Sequence, residues 1–500
     1  MNMVQESYLA WLSGQEESER IEAYKQCENY YNGEFDLEEL LPERVRKALQ
    51  QELSISANFC KAIVDAKMEY LCSKPCSLVV SGNAYGEVNE KTQARIGECE
   101  RDLYHIYNHE YNSLLDESMG KLVTICGKKG DVFVKLFHDD TIPVDATWGI
   151  LDQIQIRVLD PQYVFPRYRD DDYQRLEYVI IKTQSLDEDG TPIMKAQVFY
   201  KDHVDFYEDV SENGSQISNW ELVATQENPD GFIPIQHIKN GVSDLQYGIS
   251  DIRPIIDLQN AINKTITDLF VSMDNTAFQR LVISGALSKP GAKINMSPGN
   301  VLELLDPESK VTTIEPGDVS AFLQPLEKFI DILHKIAKVP KIAFGDDSGG
   351  GTPSGYALRV QYMPLELKSS PLREIIKNQF NVLNAKILKM LNRLGYADYT
   401  DLEASLEFND GLPVDDAAVT DDTIKLKEAR LISTPSAMKR VGIEDAEEEQ
   451  KLIDEESFQE DTFGIGRVST EAGIVAQALQ GATITAEAQP ENVPASQIPK

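Results

Sequence analysis

Long apolar runs are missing from this 500-residue chain, and without about 18 consecutive apolar residues no membrane-spanning helix is expected. Basic charge is scarce: 48 Lys and Arg stand against 82 Asp and Glu, for a formal net charge of −34. Duplex-binding surfaces rely on clustered Lys and Arg to neutralise phosphates, which excludes a free-standing one here. It does not exclude a protein that DNA passes without sticking. Cysteine is sparse too. Cys27, Cys60, Cys72, Cys76, Cys99 and Cys126 all fall in roughly the first quarter, too few for a disulfide scaffold. Free thiols in a reducing cytosol are expected. The first 20 residues lack a basic stretch followed by an apolar one, so no secretory signal is expected. What remains is ordinary: 42% hydrophobic and 26% charged residues, as in a globular chain, over a length that allows two to four domains.

Catalytic signatures are equally thin. No phosphate-binding GxxxxGK[ST] loop occurs, and Gly349, Gly350, Gly351 and Gly355 lack the Lys-Ser/Thr that such a loop needs. His105 and His109 have a metal-compatible spacing on an expected helix. However, Ser113 stands where the second His of HExxH belongs, and no third ligand is identifiable. Cys72 and Cys76 have no second cysteine pair at zinc-site spacing. Asp170, Asp171 and Asp172 follow Arg167 and Arg169 and read as a solvated turn. A calcium-loop alignment through Gly411 puts Leu406 and Ala417 where acids are required. No catalytic residue, metal or cofactor is expected.

The chain changes character along its length. Residues 1–77 read as helical, with Ile63, Val64, Met68 and Leu71 close to helical spacing. Residues 78–249 read as α+β, with a helix over 98–117 and strands at 131–137, 154–159, 178–182 and 196–200, and turns at 187–190 and 212–214. Ile255, Leu258, Ile262, Ile266, Leu269 and Met273 predict a long helix over 250–282, with Asp251 near its start, where the helix dipole favours an acid. A Pro- and Gly-punctuated insert follows over 283–320, with short strands at 301–305 and 311–314. A second helix is marked by Phe322, Leu326, Phe329, Leu333 and Ile336. Residues 341–363 carry a loop of small residues, Gly345 to Gly355, and Ser370-Pro371 reads as the cap of a third long helix ending near 394. That helix is locally basic, with Lys368, Arg373, Lys377, Lys386, Lys389 and Arg393. From 398 onward 23 acids face 8 bases, a balance of −15. Short helices are expected over 421–431, from a cap at Thr434-Pro435, and over 444–456. Residues 463–500 have the composition of a disordered tail.

Several stretches, taken in order, resemble the portal proteins of tailed double-stranded-DNA bacteriophages of the long-tailed siphophage type. They are 58–71 (NFCKAIVDAKMEYL) with Lys74-Pro75, 160–166 (DPQYVFP), 231–240 (GFIPIQHIKN), 243–245 (SDL), 257–263 (DLQNAIN) and 354–358 (SGYAL). The resemblance covers about residues 20–460. It implies an α+β portal fold, with a wing over 1–249, stem helices over 250–282 and 321–340, and a β-rich clip over 283–320. It further implies a tunnel loop over 341–357, a long wing helix over 358–397 and an acidic helical crown over 398–462.

The family also implies a ring, typically of twelve copies, at one capsid vertex, assembled in the host cytoplasm. Double-stranded DNA would pass through its channel during packaging and ejection. Terminase, head-completion or adaptor proteins, scaffolding protein and the major capsid protein would be its partners. ATP hydrolysis would belong to the terminase. In the tunnel loop, Asp346 and Asp347 would keep the surface non-adhesive, and Gly349, Gly350, Gly351 and Gly355 would let it move. Lys338, Lys341 and Arg359 flank the loop and are candidate phosphate contacts, or else partners of acids between subunits. The alternative is another ring-forming phage scaffold or adaptor protein without a DNA channel.

Overall fold

The computed structural model describes residues 15–35, 56–82, 90–109, 112, 115, 119–144, 147–186, 192–209, 220–242, 246–277, 280–284, 310–314, 320–345, 355–409, 416–443, 446 and 449–453. The chain divides into two units, Met1–Leu412 and Pro413–Lys500.

The first unit opens with α1 (Gln15–Asn32) and α2 (Phe59–Cys72). The Asn58 side chain caps α2 by accepting from the Lys61 N–H at 2.9 Å, and Cys60, Ile63, Val64 and Leu71 then bury one face. β1 (Ser77–Gly82), α3 (Glu90–Asn108) and α4 (Met119–Lys129) follow. α3 starts and stops earlier than the expected 98–117. Glu90 favours its positive N-terminal end, and Ile96, Cys99, Leu103, Ile106 and Tyr107 set its buried face.

The strands come next: β2 (Asp131–His138), β3 (Ile154–Leu159), β4 (Val164–Arg169), β5 (Asp172–Leu186), β6 (Pro192–Phe199), β7 (His203–Asp209), β8 (Trp220–Glu227) and β9 (Ile235–Lys239). β2 is the middle of a three-stranded sheet, β3-β2-β9, and β4 to β8 form an antiparallel meander. The meander buries Phe165, Tyr178, Ile180 and Val198 in one cluster and Val164, Val179, Ile181 and Phe199, with Phe133 and Ile235, in another. β7, β8 and β9 were not expected, and β4 only as the β segment that the resemblance implies at 160–166. β8 is an edge strand exposed along nearly its whole length, so it carries no apolar alternation to read.

After a 3₁₀ turn at Arg253–Ile255, the chain runs through α5 (Ile256–Ala277), β10 (Arg280–Ser284), β11 (Lys310–Ile314), α6 (Ser320–Ala337), α7 (Gly355–Arg393) and β12 (Leu402–Glu407). Two corrections belong here. First, α7 does not begin at a Ser370-Pro371 cap. It is a 39-residue helix from Gly355 that contains both Pro364 and Pro371. Each proline removes one backbone hydrogen bond, at a cost of roughly 3 kcal/mol in a helix interior. Burial of Leu365, Leu372, Ile376, Phe380, Leu383, Ile387 and Leu391, at about 1.5–3 kcal/mol each, outweighs that cost. Second, residues 398–412 belong to the first unit and not to a C-terminal helical segment. β12 pairs antiparallel with β1 from Ser77↔Glu407 to Gly82↔Leu402. Leu402, Ala404 and Leu406 alternate inward, a strand signal that the interleaved acids mask.

The second unit contains α8 (Asp416–Glu428) and α9 (Thr434–Arg440). α8 starts five residues before the expected Asp421. The cap of α9 is Ser433, which accepts from the Ser436 N–H, one residue earlier than expected, because Pro435 then falls in the first turn, where its missing N–H costs nothing. The expected turns at 187–190 and 212–214, the strand at 301–305 and the tail from 463 lie outside the described residues.

Candidate functional site

α5 and α6 pack side by side, and α6 also packs on the 3₁₀ turn that precedes α5. β10 and β11 pair antiparallel between them, from Arg280↔Ile314 to Ser284↔Lys310. A helix pair therefore carries a two-stranded ribbon at the end away from residue 253. Most of the 283–320 insert lies outside the described residues.

The helix pair is fastened to α2 by amides. Gln259 donates to the Ala57 carbonyl at 2.6 Å and accepts from the Phe59 N–H at 3.0 Å. Asn263, one turn on, accepts from the Ala57 N–H at 3.1 Å. The 58–71 and 257–263 stretches singled out in the sequence thus meet.

The root of the pair holds a buried charge cluster. Asp251 takes Lys67 of α2 at 2.8 Å on one oxygen and Lys368 of α7 at 2.9 Å on the other. Lys67 also donates to Asn240 at 2.6 Å, and Lys368 to the Ala337 carbonyl, the last residue of α6, at 2.9 Å. Burial alone would raise the Asp251 carboxyl; the two ammoniums override it and hold it at about 2. Burial pulls Lys368 below its ordinary value, and Asp251 opposes that. Asp251 is therefore not a helix-dipole acid, since it sits ahead of α5 and is consumed by two lysines. The acid at that position was visible in sequence, but its partners, 184 and 117 residues away, were not.

A second buried network lies beside it. Asp131 accepts from the Tyr24 hydroxyl at 2.6 Å and the Gly248 N–H at 2.8 Å, and it meets His237 Nε2 at 2.7 Å. The other nitrogen of His237 meets the Tyr168 hydroxyl. Asp–His–Tyr has the components of a proton relay. Here it joins α1, β2, β4, β9 and the 246–250 approach, with Asp131 and His237 both buried. No part of it was foreseen.

Several basic residues of α7 are spent in the same way, while Arg359 and Lys389 stay exposed. Arg373 pairs with Glu366, Lys377 with Glu407 and Arg393 with Asp230. Lys386 donates to the Ile233 carbonyl at 2.6 Å, and burial lowers it to about 8.

Of the residues expected to line a tunnel loop, Asp346, Asp347, Gly349, Gly350 and Gly351 lie outside the described residues, and Gly355 opens α7. Lys338 is exposed, with φ +57, where α6 ends. Lys341 pairs within its own chain with Asp331 at 2.5 Å. Arg359 is exposed on the first turns of α7. His105 does not join His109 around a metal. Its Nε2 meets Asp152 at 2.7 Å, its ring stacks on Trp148, and His109 faces the Ile154 carbonyl at 3.2 Å. Among the described residues no group of three His, Cys, Asp or Glu is placed to hold a metal. Asp170, Asp171 and Asp172 pair with Arg167, Arg169 and Arg175 on the surface.

Over residues 14–462 the chain matches the model of a family described as phage portal protein, SPP1 Gp6-like. The chain belongs to this family. A portal protein is a structural component of the phage particle, and the α+β architecture described above is the portal fold. A comparison with curated proteins gives no match. Among solved structures the chain is similar to one in the "Neck of empty GTA particle computed with C6 symmetry", at 13% identity and a TM-score of 0.45, covering 80% of this chain and 94% of that one.

Proposed function

We propose that this portal protein assembles as a ring, of twelve copies, at one capsid vertex and forms the channel through which double-stranded DNA is packaged and later ejected. α5 and α6 are the stem helices, and β10 and β11 the base of the clip that docks terminase and then head-completion proteins. The 341–357 segment is the tunnel loop, and the second unit, beginning after 412, is the crown. The observation that carries this reading is the chain order within the family match: helix, ribbon, helix, loop, then a 39-residue helix fastened to the helix pair through Lys368. Charge supports it. Twelve copies at −34 each make an acidic wall that repels phosphate and lets DNA slide. Lys341, neutralised by Asp331, does not offset that wall.

Negative-stain electron microscopy of the purified protein, with native mass on the same sample, tests the proposal. Rings with an open axial hole and a mass of twelve chains are expected. Closed discs would favour a scaffold or adaptor without a channel. A chain that stays monomeric at high concentration, with scaffolding protein present, would refute the ring.

A further inference from the structure

Leu358, Tyr362, Leu365, Ser369 and Leu372 recur at helical spacing and set the face of α7 that packs into the first unit. At about 3.6 residues per turn, the positions opposite that face are Val360, Met363, Pro364, Leu367 and Pro371. A surface helix ordinarily turns polar there. Here the outward positions are apolar instead: Val360 is 48%, Met363 54% and Leu367 66% exposed, and Pro364 is exposed between them. The stripe ends beyond Pro371, where the next outward residues are Glu374 and Asn378. Both prolines of the helix fall on this line. Each lacks an N–H, so the carbonyls of Val360 and Leu367, four residues earlier, lose the donor that the helix would supply. Single exposed apolar residues are ordinary, but a stripe in register opposite a buried face marks a helix covered on both sides.

Charge and composition point to what covers the outer face. Residues 346–354, DDSGGGTPS, lead into α7 and contain no large apolar side chain to lie on it. From Gly355 to Arg373 the only acid is Glu366, against Arg359, Lys368 and Arg373. Glu366 is turned to the Tyr70 hydroxyl and to Arg373. Two chains of −34 repel each other, so copies can approach closely only where acid does not meet acid. The stripe carries no acid, and the exposed Arg359 on its border suits the acidic surface of another copy.

We propose that the outward face of α7 from Val360 to Pro371 is a contact between copies of this chain, covered by the neighbouring copy in the assembled protein. The proposal rests on the ring reading and names one surface that closes the ring. In a ring each copy presents this face to one neighbour and a different surface to the other. The stripe is one part of that interface, because a stable one buries about 800 Å² on each partner, more than these side chains supply.

Native mass and sedimentation of the full chain, comparing Met363→Glu and Leu367→Glu with Val382→Glu, are the experiment. Val382 is exposed farther along the same helix, beyond Asn378, and controls for the effect of a glutamate on α7 itself. Met363→Glu and Leu367→Glu are expected to raise the concentration of half-assembly at least tenfold, because each would bury an unpaired carboxylate between copies. Val382→Glu is expected to stay within threefold of wild type. A second readout needs no destabilising change: benzoylphenylalanine in place of Met363 is irradiated after heavy- and light-isotope chains are mixed before assembly. Crosslinks joining heavy to light chains are expected. Crosslinks confined to one chain would overturn the proposal, as would wild-type assembly of both stripe variants or an equal loss in Val382→Glu. Those results leave wild-type rings, and with them the ring reading, in place. Heavy-to-light crosslinks in an assembly that is not a ring would support the contact and count against the ring alone. A wild-type chain that stays monomeric with scaffolding protein present would overturn both.

Discussion

Gly248 and Gly130 touch backbone to backbone where the α4–β2 turn meets the segment before α5. A Cβ on Gly248 would stand 2.0 Å from the Gly130 carbonyl oxygen, far inside any real contact. The obstacle is backbone on both sides, so relief requires moving one segment by more than an ångström. Three hydrogen bonds cross this seam. The Gly248 N–H donates to the Asp131 carboxylate, the Asn240 N–H to the Gly130 carbonyl and the Asp251 N–H to the Gly127 carbonyl, each at 2.8 Å. The first has a charged acceptor and is worth about 1.5–3 kcal/mol; the other two are worth about 1 kcal/mol each. Gly248→Ala is therefore expected to cost about 3–5 kcal/mol, at the severe end for one methyl group. Gly97→Ala is the control: the site is exposed, inside α3, with nothing within 4 Å of a new Cβ. It is expected to gain up to about 1 kcal/mol. Native-state hydrogen exchange of the β2 amides, which lie at the centre of their sheet, reads the stability of the first unit in both variants. A loss below about 1 kcal/mol in Gly248→Ala would refute the reasoning, because the seam would then be free to open.

The Asp251 cluster gives a pH signature. A carboxyl held at about 2 in the fold, against an ordinary 3.8, contributes about 2 kcal/mol that is complete above pH 4 and disappears as pH falls from 4 to 2. Lys368 adds no slope there, since it is protonated both folded and unfolded. Asp251→Asn should flatten acid unfolding in that window and cost about 3–5 kcal/mol at neutral pH by stranding two lysines. An unchanged acid profile would show that the pair energies do not depend on the carboxylate. The thiols give a third test. Burial pushes Cys60, Cys72 and Cys99 up to about 12 and Cys76 to about 11, and raises Cys27 and Cys126 as well. Ellman's reagent at pH 8 should react with all six only after denaturation, and prompt reaction of two or more in the native chain would contradict the burial.

Helix faces were legible wherever packing is one-sided and local. Ile255 to Ile266 announced α5 and Phe322 to Leu333 announced α6, but the expected 250–282 overran α5 into the 3₁₀ turn before it and β10 after it, and Met273 and Ile336, read on the apolar faces, are exposed. The long helix was misread at its start because Ser370-Pro371 is a good local cap. The chain overrides that preference with apolar residues on both sides of it, and only the fold shows that Leu365 and Leu372 are both buried. The meander was half visible, since β5 and β6 have two buried neighbours while β7 and β8 lie towards the open edge and read as loop. β12 was hidden behind its acids. None of the site's chemistry could be read locally. Asp251, Lys67 and Lys368 are each unremarkable charged residues in their own segments, and only long-range pairing makes them a joint.

That pairing also explains how so acidic a chain can contain a basic helix. Between Lys368 and Arg393, α7 carries bases that would suit a phosphate backbone if they faced outward. Lys368, Arg373, Lys377, Lys386 and Arg393 are instead turned to Asp251, Glu366, Glu407, the Ile233 carbonyl and Asp230, which come from the segment before α5, α7 itself, β12 and the turn before β9, while Lys389 stays exposed. Each ion pair removes one base and one acid from the set free to meet a ligand. Acids outnumber bases from the start, so every such pair raises the ratio of free acid to free base while the net charge stays at −34. Five of the six bases in that span are thus side chains that crosslink the unit and are not left free to meet phosphate. Structural crosslinking and a small number of free bases thus come from the same placement of lysine and arginine.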